Sequence, residues 1–271
     1  LIDLLHAKLG STSLKETINE AQHFLGFASI SADPAPLRTL KSPAASNTSR
    51  MVSARKLFAA GKPVLGTAAA AYLHQRGIAR FGPALKYHPR VYFRGTYTGS
   101  DQPRYAPALL AKVTDNQGNT MGCARTYLDP NTGRIADLSS PKRILGQLHG
   151  NAVRFWSASN PADLIVGEGL ENTLSVGTAL PEFNLASCLT ATHLGLFIPP
   201  SDIKRIWVAR DNDAAGERAA HTLSAKLGTV GIECRCLVPK LSDFNEDLLA
   251  FGKDALRRTL LLAMKKEGSS D

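Results

Sequence analysis

The sequence predicts an α/β protein: a mostly parallel sheet occupying the second half of the chain, preceded by a smaller, basic α+β subdomain. Three observations carry this. Two short apolar runs, Leu164–Val166 and Ile206–Ala209, are β-branched and bounded by turn residues, which suits buried parallel strands. From Asp163 onward, strand and helix patterns alternate, which implies parallel crossovers. Upstream, hairpin and turn chemistry dominates, with basic residues spread among the turns.

Taken in order, residues 1–27 read as short helices. Leu1, Ile2, Leu4, Leu5 and Leu9 mark the first, and Ser13 with Glu16 forms a capping box for the second. Residues 28–50 are rich in Ser, Pro, Ala and Thr without periodicity and read as a linker. Helical patterns resume at Val52–Phe58 and Thr67–Arg76, the latter stopped by Gly77. Ala108–Val113 and Met121–Tyr127 flank the turn Asp115-Asn116-Gln117-Gly118-Asn119, a hairpin signal, and a second turn follows at 129–133. In the second half, strands are expected at Leu164–Val166, Phe183–Cys188, Ile206–Ala209 and Cys234–Val238. Helices are expected at Glu171–Leu180, Ala214–Leu227, Asp243–Phe251 and Asp254–Lys266. The expected division is residues 1–50 as helices and linker, 51–160 as the basic subdomain, and 161–271 as the parallel-sheet domain.

Charge divides unevenly along the chain. Residues 1–160 carry 20 Lys/Arg against 8 Asp/Glu, whereas 161–271 carry 12 against 15, together the net +9 of the chain. A basic half beside an acidic cluster fits a protein that grips a polyanion and performs metal chemistry on it. A solvated basic surface would give the same count. No apolar run reaches transmembrane length, and the amino terminus lacks a signal-peptide layout, so a cytoplasmic protein without a membrane partner is expected. Cys123, Cys188, Cys234 and Cys236 lack the paired spacing of a zinc site and read as core thiols. No G-x-x-x-x-G-K-[ST] phosphate loop is present in the sequence.

The acidic residues carry the chemistry. Glu168 follows the first apolar run, and Asp211 and Asp213 follow the second, so each strand delivers carboxylates to its C-terminal end, where open α/β sheets bind ligands. Three carboxylates in one crevice call for a hard divalent cation, Mg²⁺ above all. A third acidic set, Asp243, Glu246 and Asp247, follows the next strand. Individually each motif has a bland reading: Glu-Gly is a common turn, and Asp213 before Ala214 is a helix cap. Among the basic residues, Lys142 and Arg143 in Pro141-Lys142-Arg143-Ile144-Leu145-Gly146 are candidates for phosphate contact or simply solvated surface, with Arg125 behind them.

The order Leu164-Ile-Val-Gly-Glu168-Gly, Trp207-Val-Ala-Arg-Asp211-Asn-Asp213-Ala-Ala-Gly216 and Asp243-Phe-Asn-Glu-Asp247-Leu resembles the Toprim domain, a Rossmann-like fold. The family includes bacterial-type primases, topoisomerases, certain nucleases and recombination proteins. The resemblance covers about residues 161–251. It implies that Glu168, Asp211 and Asp213 hold Mg²⁺ or Mn²⁺ and carry catalysis, with Asp243 and Asp247 tuning a second metal or supporting the others. Residues 67–155 resemble the segment before Toprim in phage- and plasmid-type primases. That likeness implies a primase core making short RNA primers, with single-stranded DNA template and ribonucleoside triphosphates as partners and a replicative helicase as a further one. It also assigns Arg125, Lys142 and Arg143 to nucleotide or template contact. In such proteins a zinc ribbon precedes helices like those in residues 1–27, so zinc is expected upstream of this sequence rather than in it. A metal-dependent nuclease and a non-catalytic DNA-binding module are the competing readings.

Overall fold

The computed structural model describes residues 43–79, 81–93, 105–156 and 162–268. The helices expected in residues 1–27 lie outside them. The first described element, α1 (Pro43–Ala60), begins well before Val52, so the last eight residues of the expected linker are helical. A proline suits the first helical position, because its missing N–H has no intrahelical partner there. A short helix α2 (Ala68–Gln75) is capped by Thr67, whose hydroxyl accepts from the Ala69 N–H.

Nine strands form one sheet among the described residues. The upstream five are β1 (Leu85–Tyr92), β2 (Tyr105–Thr114), β3 (Thr120–Tyr127), β4 (Lys142–Gly146) and β5 (Ala152–Phe155). The expected hairpin is β2–β3, and the Asp115 carboxylate holds its turn by accepting the Gln117 and Asn119 N–H groups. The downstream four are β6 (Asp163–Gly167), β7 (Asn184–Ser187), β8 (Arg205–Ala209) and β9 (Glu233–Leu237). The order is β4-β3-β2-β5-β7-β6-β8-β9, with β1 also on β2. Pairing is antiparallel from β1 through the β5–β7 pair and parallel among β7, β6, β8 and β9. This is the mostly parallel α/β sheet expected for the second half, joined edge to edge to the basic α+β half.

Between the downstream strands run α3 (Leu170–Ala179), α4 (Ala191–Gly195) and α5 (Ala214–Gly228); α6 (Phe244–Phe251) and α7 (Lys253–Gly268) follow β9. Side-chain alternation assigns the helices to two faces. On one, α1 covers Ala108, Leu110, Cys123 and Tyr127, while α4 and α5 cover Val166, Ile206 and Val208. On the other, α2 and α3 cover Leu109, Ala111 and Val113, while α3, α6 and α7 cover Ile165, Trp207 and Leu237. The core-thiol reading holds for Cys123 and Cys188, which are buried. Cys236 is exposed, because β9 is an edge strand with less packed over it. Among the described residues no helix is long and apolar enough to cross a membrane.

Candidate metal centre

β6 and β8 lie side by side and in parallel register, Gly167 opposite Ala209, so the residues following each emerge together at one end of the sheet. Glu168 leaves β6 there, and Asp211 and Asp213 leave β8. The loop after β8 is folded tightly onto the first turn of α5, and a Cβ on Gly216 would lie 2.6 Å from the Asp211 carbonyl oxygen. Only glycine fits that approach. Asp213 caps α5, its carboxylate accepting the Gly216 N–H at 2.7 Å, yet it remains exposed toward the crevice. The cap reading and the ligand reading therefore describe the same residue, since capping uses one oxygen.

The electrostatics show mutual repulsion. Burial holds the Glu168 carboxyl above the ordinary carboxylate range; an N–H from Ala191 opposes this and the charge of Asp213 adds to it. Burial, followed by the charges of Glu168, Asp243 and Asp213, pushes Asp211 up to about 6 despite a hydrogen bond from Asn172. Glu168 Oε2 is buried without a hydrogen-bond partner, an arrangement that costs free energy unless something electropositive meets it. An all-carboxylate donor set with an orphaned oxygen fits a hard divalent cation. Among the described residues no three His, Cys, Asp or Glu side chains are drawn into ligating geometry. The carboxylates face one crevice while standing apart, as like charges do.

The third acidic set divides. Asp243 caps α6 through the Glu246 N–H at 2.8 Å and lies close enough to Asp211 to raise its proton affinity. Asp247, expected with the metal set, is 1% exposed, and its two oxygens accept the Lys240 and Leu241 N–H groups at 2.8 and 2.9 Å. Its carboxylate is committed to the loop that carries Asp243, a supporting position rather than a ligand's.

Sequence reading missed the residue that joins these motifs. Asn172, in the first turn of α3 and 4% exposed, donates to Asp211 Oδ1 at 2.5 Å and accepts the Phe244 N–H at 2.8 Å. It links β6's helix, β8's loop and the start of α6. Asn245 extends the link: its amide donates to Ser175 Oγ at 2.9 Å and to the Arg76 carbonyl at 2.7 Å, tying α6 to the end of α2. The available signal was a helix whose polar residues, Glu171, Asn172, Thr173 and Ser175, leave it no solvated face for them. The end of β7 also contributes. Leu189, at φ +68°, is the one described non-glycine residue in the left-handed region, and it precedes the loop whose Ala191 N–H reaches Glu168.

The basic candidates separate by strand alternation. Lys142 and Arg143 are adjacent in β4 and so point to opposite faces. Lys142 turns toward α3, where its ammonium meets Glu171 at 2.8 Å. Arg143 pairs in register with Arg125 of β3 on the other face, and both arginines lie near the Tyr127 hydroxyl, Arg125 at 3.3 Å. The expected neighbouring pair is thus one lysine on the crevice side and an Arg125–Arg143 pair behind the strand. A cavity of about 130 Å³ lies between these strands and the turn after Glu168, bordered by Thr126, Lys142, Gly169, Glu171 and Thr190, and by Arg125 and Arg143 at its edge.

A model of the Toprim domain matches residues 163–254, the stretch that holds Glu168, Asp211, Asp213, Asp243 and Asp247. Residues 163–254 form a Toprim domain. Residues 48–155, upstream of the Toprim domain, match a domain of unknown function, DUF7146. The whole fold is similar to that of solved primase cores. The Aquifex aeolicus primase, comprising zinc-binding and RNA polymerase domains, superposes with a TM-score of 0.51 at 16% identity, over 97% of this chain and 70% of that one. A DNA primase domain from Pseudomonas aeruginosa gives 0.52 at 17% identity over 78% of each chain. The DnaG primase catalytic domain bound to single-stranded DNA gives 0.52 at 16% identity, covering 81% of this chain and 83% of that one. At these identities the likeness is one of fold. No curated protein matches the chain.

Proposed function

We propose that this chain is the catalytic core of a DNA primase, a cytoplasmic nucleotidyltransferase that joins ribonucleotides into short primers on single-stranded DNA. The observation that carries the reading is that Glu168, Asp211 and Asp213 emerge at one end of the sheet, while Gly169–Glu171, the residues directly after Glu168, share a small cavity with Lys142 of β4. Chemistry on a triphosphate needs carboxylates for a cation and cations for phosphate, side by side.

Glu168, Asp211 and Asp213 would hold Mg²⁺ or Mn²⁺, with Asp243 at the margin. When bound, the ion neutralises charge on the incoming triphosphate and acidifies the attacking 3′-hydroxyl. The chain's own part is positioning. Asn172 fixes the Asp211 carboxylate, Asp247 fixes the loop beneath Asp243, and Lys142 presents an ammonium to phosphate from the opposite wall. Glu168, with its raised proton affinity, is the group assigned to receive the hydroxyl proton. Arg125 and Arg143, on the reverse face of the same strands, are assigned to the template backbone. In this division of labour residues 51–160 hold nucleic acid and nucleotide, and residues 161–271 hold the metal. The sequence motifs of residues 67–155 resemble the segment before Toprim in phage- and plasmid-type primases, and on that resemblance we assign the chain to replication of such an element, beside a replicative helicase.

The test is incubation with single-stranded DNA, labelled ribonucleotides and Mg²⁺ or Mn²⁺, with Asp211→Ala as control. Short ribonucleotide products that vanish in the variant are expected. Metal-dependent shortening of the DNA would make the site a nuclease, and DNA binding without either product would make the chain a binding module.

A further inference from the structure

Glu171 is a buried carboxylate that the proposed chemistry leaves unused. It sits in the first turn of α3, three residues after Glu168, and the residue is 5% exposed. Both oxygens are occupied by side chains from the upstream half of the chain. Oε1 accepts the Tyr72 hydroxyl of α2 at 2.7 Å, and Oε2 accepts the Lys142 ammonium of β4 at 2.8 Å. Burial alone would raise its pKa, but the charge and hydrogen bond of Lys142 and the bond from Tyr72 outweigh burial and hold it lowered, so Glu171 is an anion throughout the ordinary pH range.

The two partners differ in what they gain. The Lys142 side chain is 53% exposed against 7% for Glu171, so this bond holds the far end of an otherwise half-solvated four-carbon stem. An ammonium has three N–H donors. Glu171 takes one, and the remainder stay available at the wall of the cavity that Gly169 and Thr190 close on the metal side. Because Glu168 leaves β6 two residues before α3 begins and Glu171 lies in the first turn of α3, the bond also sets the spacing between the proposed metal and the lysine. The distance is carried by one short β6–α3 junction.

We infer that Glu171 is a positioning residue: it holds the Lys142 ammonium at a fixed offset from the Glu168 metal ligand, so that both meet the same triphosphate. Tyr72 is the strut that keeps the Glu171 carboxylate in its rotamer, and its hydroxyl has no other role here. The inference rests on the primase reading for the identity of the ligand, but the geometry requires only a polyphosphate bridging cation and lysine.

The experiment uses the full chain with ATP·Mg²⁺ as probe. Equilibrium ATP binding, steady-state KM and kcat for primer synthesis, and melting temperature are measured for wild type, Glu171→Gln, Lys142→Met, the double variant and Tyr72→Phe. Glutamine keeps the shape of Glu171 but cannot attract the ammonium. Expected are a roughly tenfold rise in the ATP Kd and KM for Glu171→Gln, corresponding to one lost charged contact, with kcat within about twofold. The double variant should bind ATP no worse than Lys142→Met alone, because Glu171 acts only through the lysine. Tyr72→Phe should show the same KM effect at two- to threefold, and it serves as the test if Glu171→Gln does not fold.

A purely structural Glu171 would instead lower the melting temperature and active fraction while leaving KM and Kd unchanged, or would add to the lysine's effect in the double variant. Either result overturns the inference while leaving the primase reading intact. Wild type that binds ATP with the expected pattern but makes no primers overturns that reading and supports the positioning. Wild type that binds no ATP overturns both.

Discussion

Replacing Asp211 by Asn tests the central claim that the crevice stores repulsion to be relieved by a cation. In the fold, burial and the charges of Glu168, Asp243 and Asp213 raise Asp211 from an ordinary 3.8 to about 6. A raised carboxyl favours its protonated form, so its contribution to stability is full below the unfolded pKa and is lost as pH rises through about 6. At pH 7.5 the ionised form therefore costs the fold at most about 3 kcal/mol at roughly 1.4 kcal/mol per pH unit, and about 1–2 kcal/mol once solvent screening is allowed for. Asn keeps the shape and can still accept the Asn172 N–H, so Asp211→Asn should recover that cost. For a domain of this size the gain is about 2–8 °C in melting temperature. Thermal denaturation in EDTA at pH 7.5 should show the variant melting higher, with the difference falling to roughly half at pH 5, where only the unfolded carboxyl is ionised, and closing below the unfolded value of 3.8. Added Mg²⁺ should reverse the order, because a cation present a hundredfold above its Kd stabilises wild type by about 2.7 kcal/mol and the variant far less. A variant that melts at or below wild type in EDTA, or that gains as much from Mg²⁺, would refute the reasoning.

Three further perturbations follow from the same geometry. Asn172→Ala removes the bond to Asp211 and leaves the buried Phe244 N–H unsatisfied, so it should cost about 1–3 kcal/mol in denaturant unfolding and weaken Mg²⁺-dependent stabilisation as well. Gly216→Ala would place a methyl group 2.6 Å from the Asp211 carbonyl; it should abolish metal-dependent activity while far-ultraviolet circular dichroism shows the secondary structure retained. Binding of single-stranded DNA should weaken linearly in log–log salt titrations, and Arg125→Ala or Arg143→Ala should each reduce the slope by about 0.7, as expected for one phosphate contact on a single strand. An unchanged slope would remove that arginine from the interface.

Much of this molecule was legible before folding. The hydrophobic runs of β6 and β8, ending in Glu168 and in Asp211-Asn212-Asp213, specify buried parallel strands by local composition alone, and a strand's C-terminal end is where its next residue must emerge. The β2–β3 hairpin is equally local, since Asp115 bonds the backbone two and four residues on. Where the sequence misled, the missing information lay outside the short windows in which apolar period and charge are read. Residues 43–50 look like linker because they lack an apolar period, yet they continue α1.

Asp247 looks like a member of the acidic set until the Lys240–Leu241 loop takes both its oxygens. Lys142 and Arg143 look like one basic patch, and only the placement of β4 against β3, with α1 on one face and α3 on the other, sends them apart. Glu171, Asn172 and Tyr72 gave no sign of partnership along the chain, being 99 and 72 residues from the groups they meet. Strand identity and carboxylate placement depend on residues a few positions apart. Which buried polar groups satisfy one another depends on how two halves of one sheet pack, and that is decided only when the desolvation cost of each group must be met by whatever tertiary structure brings beside it.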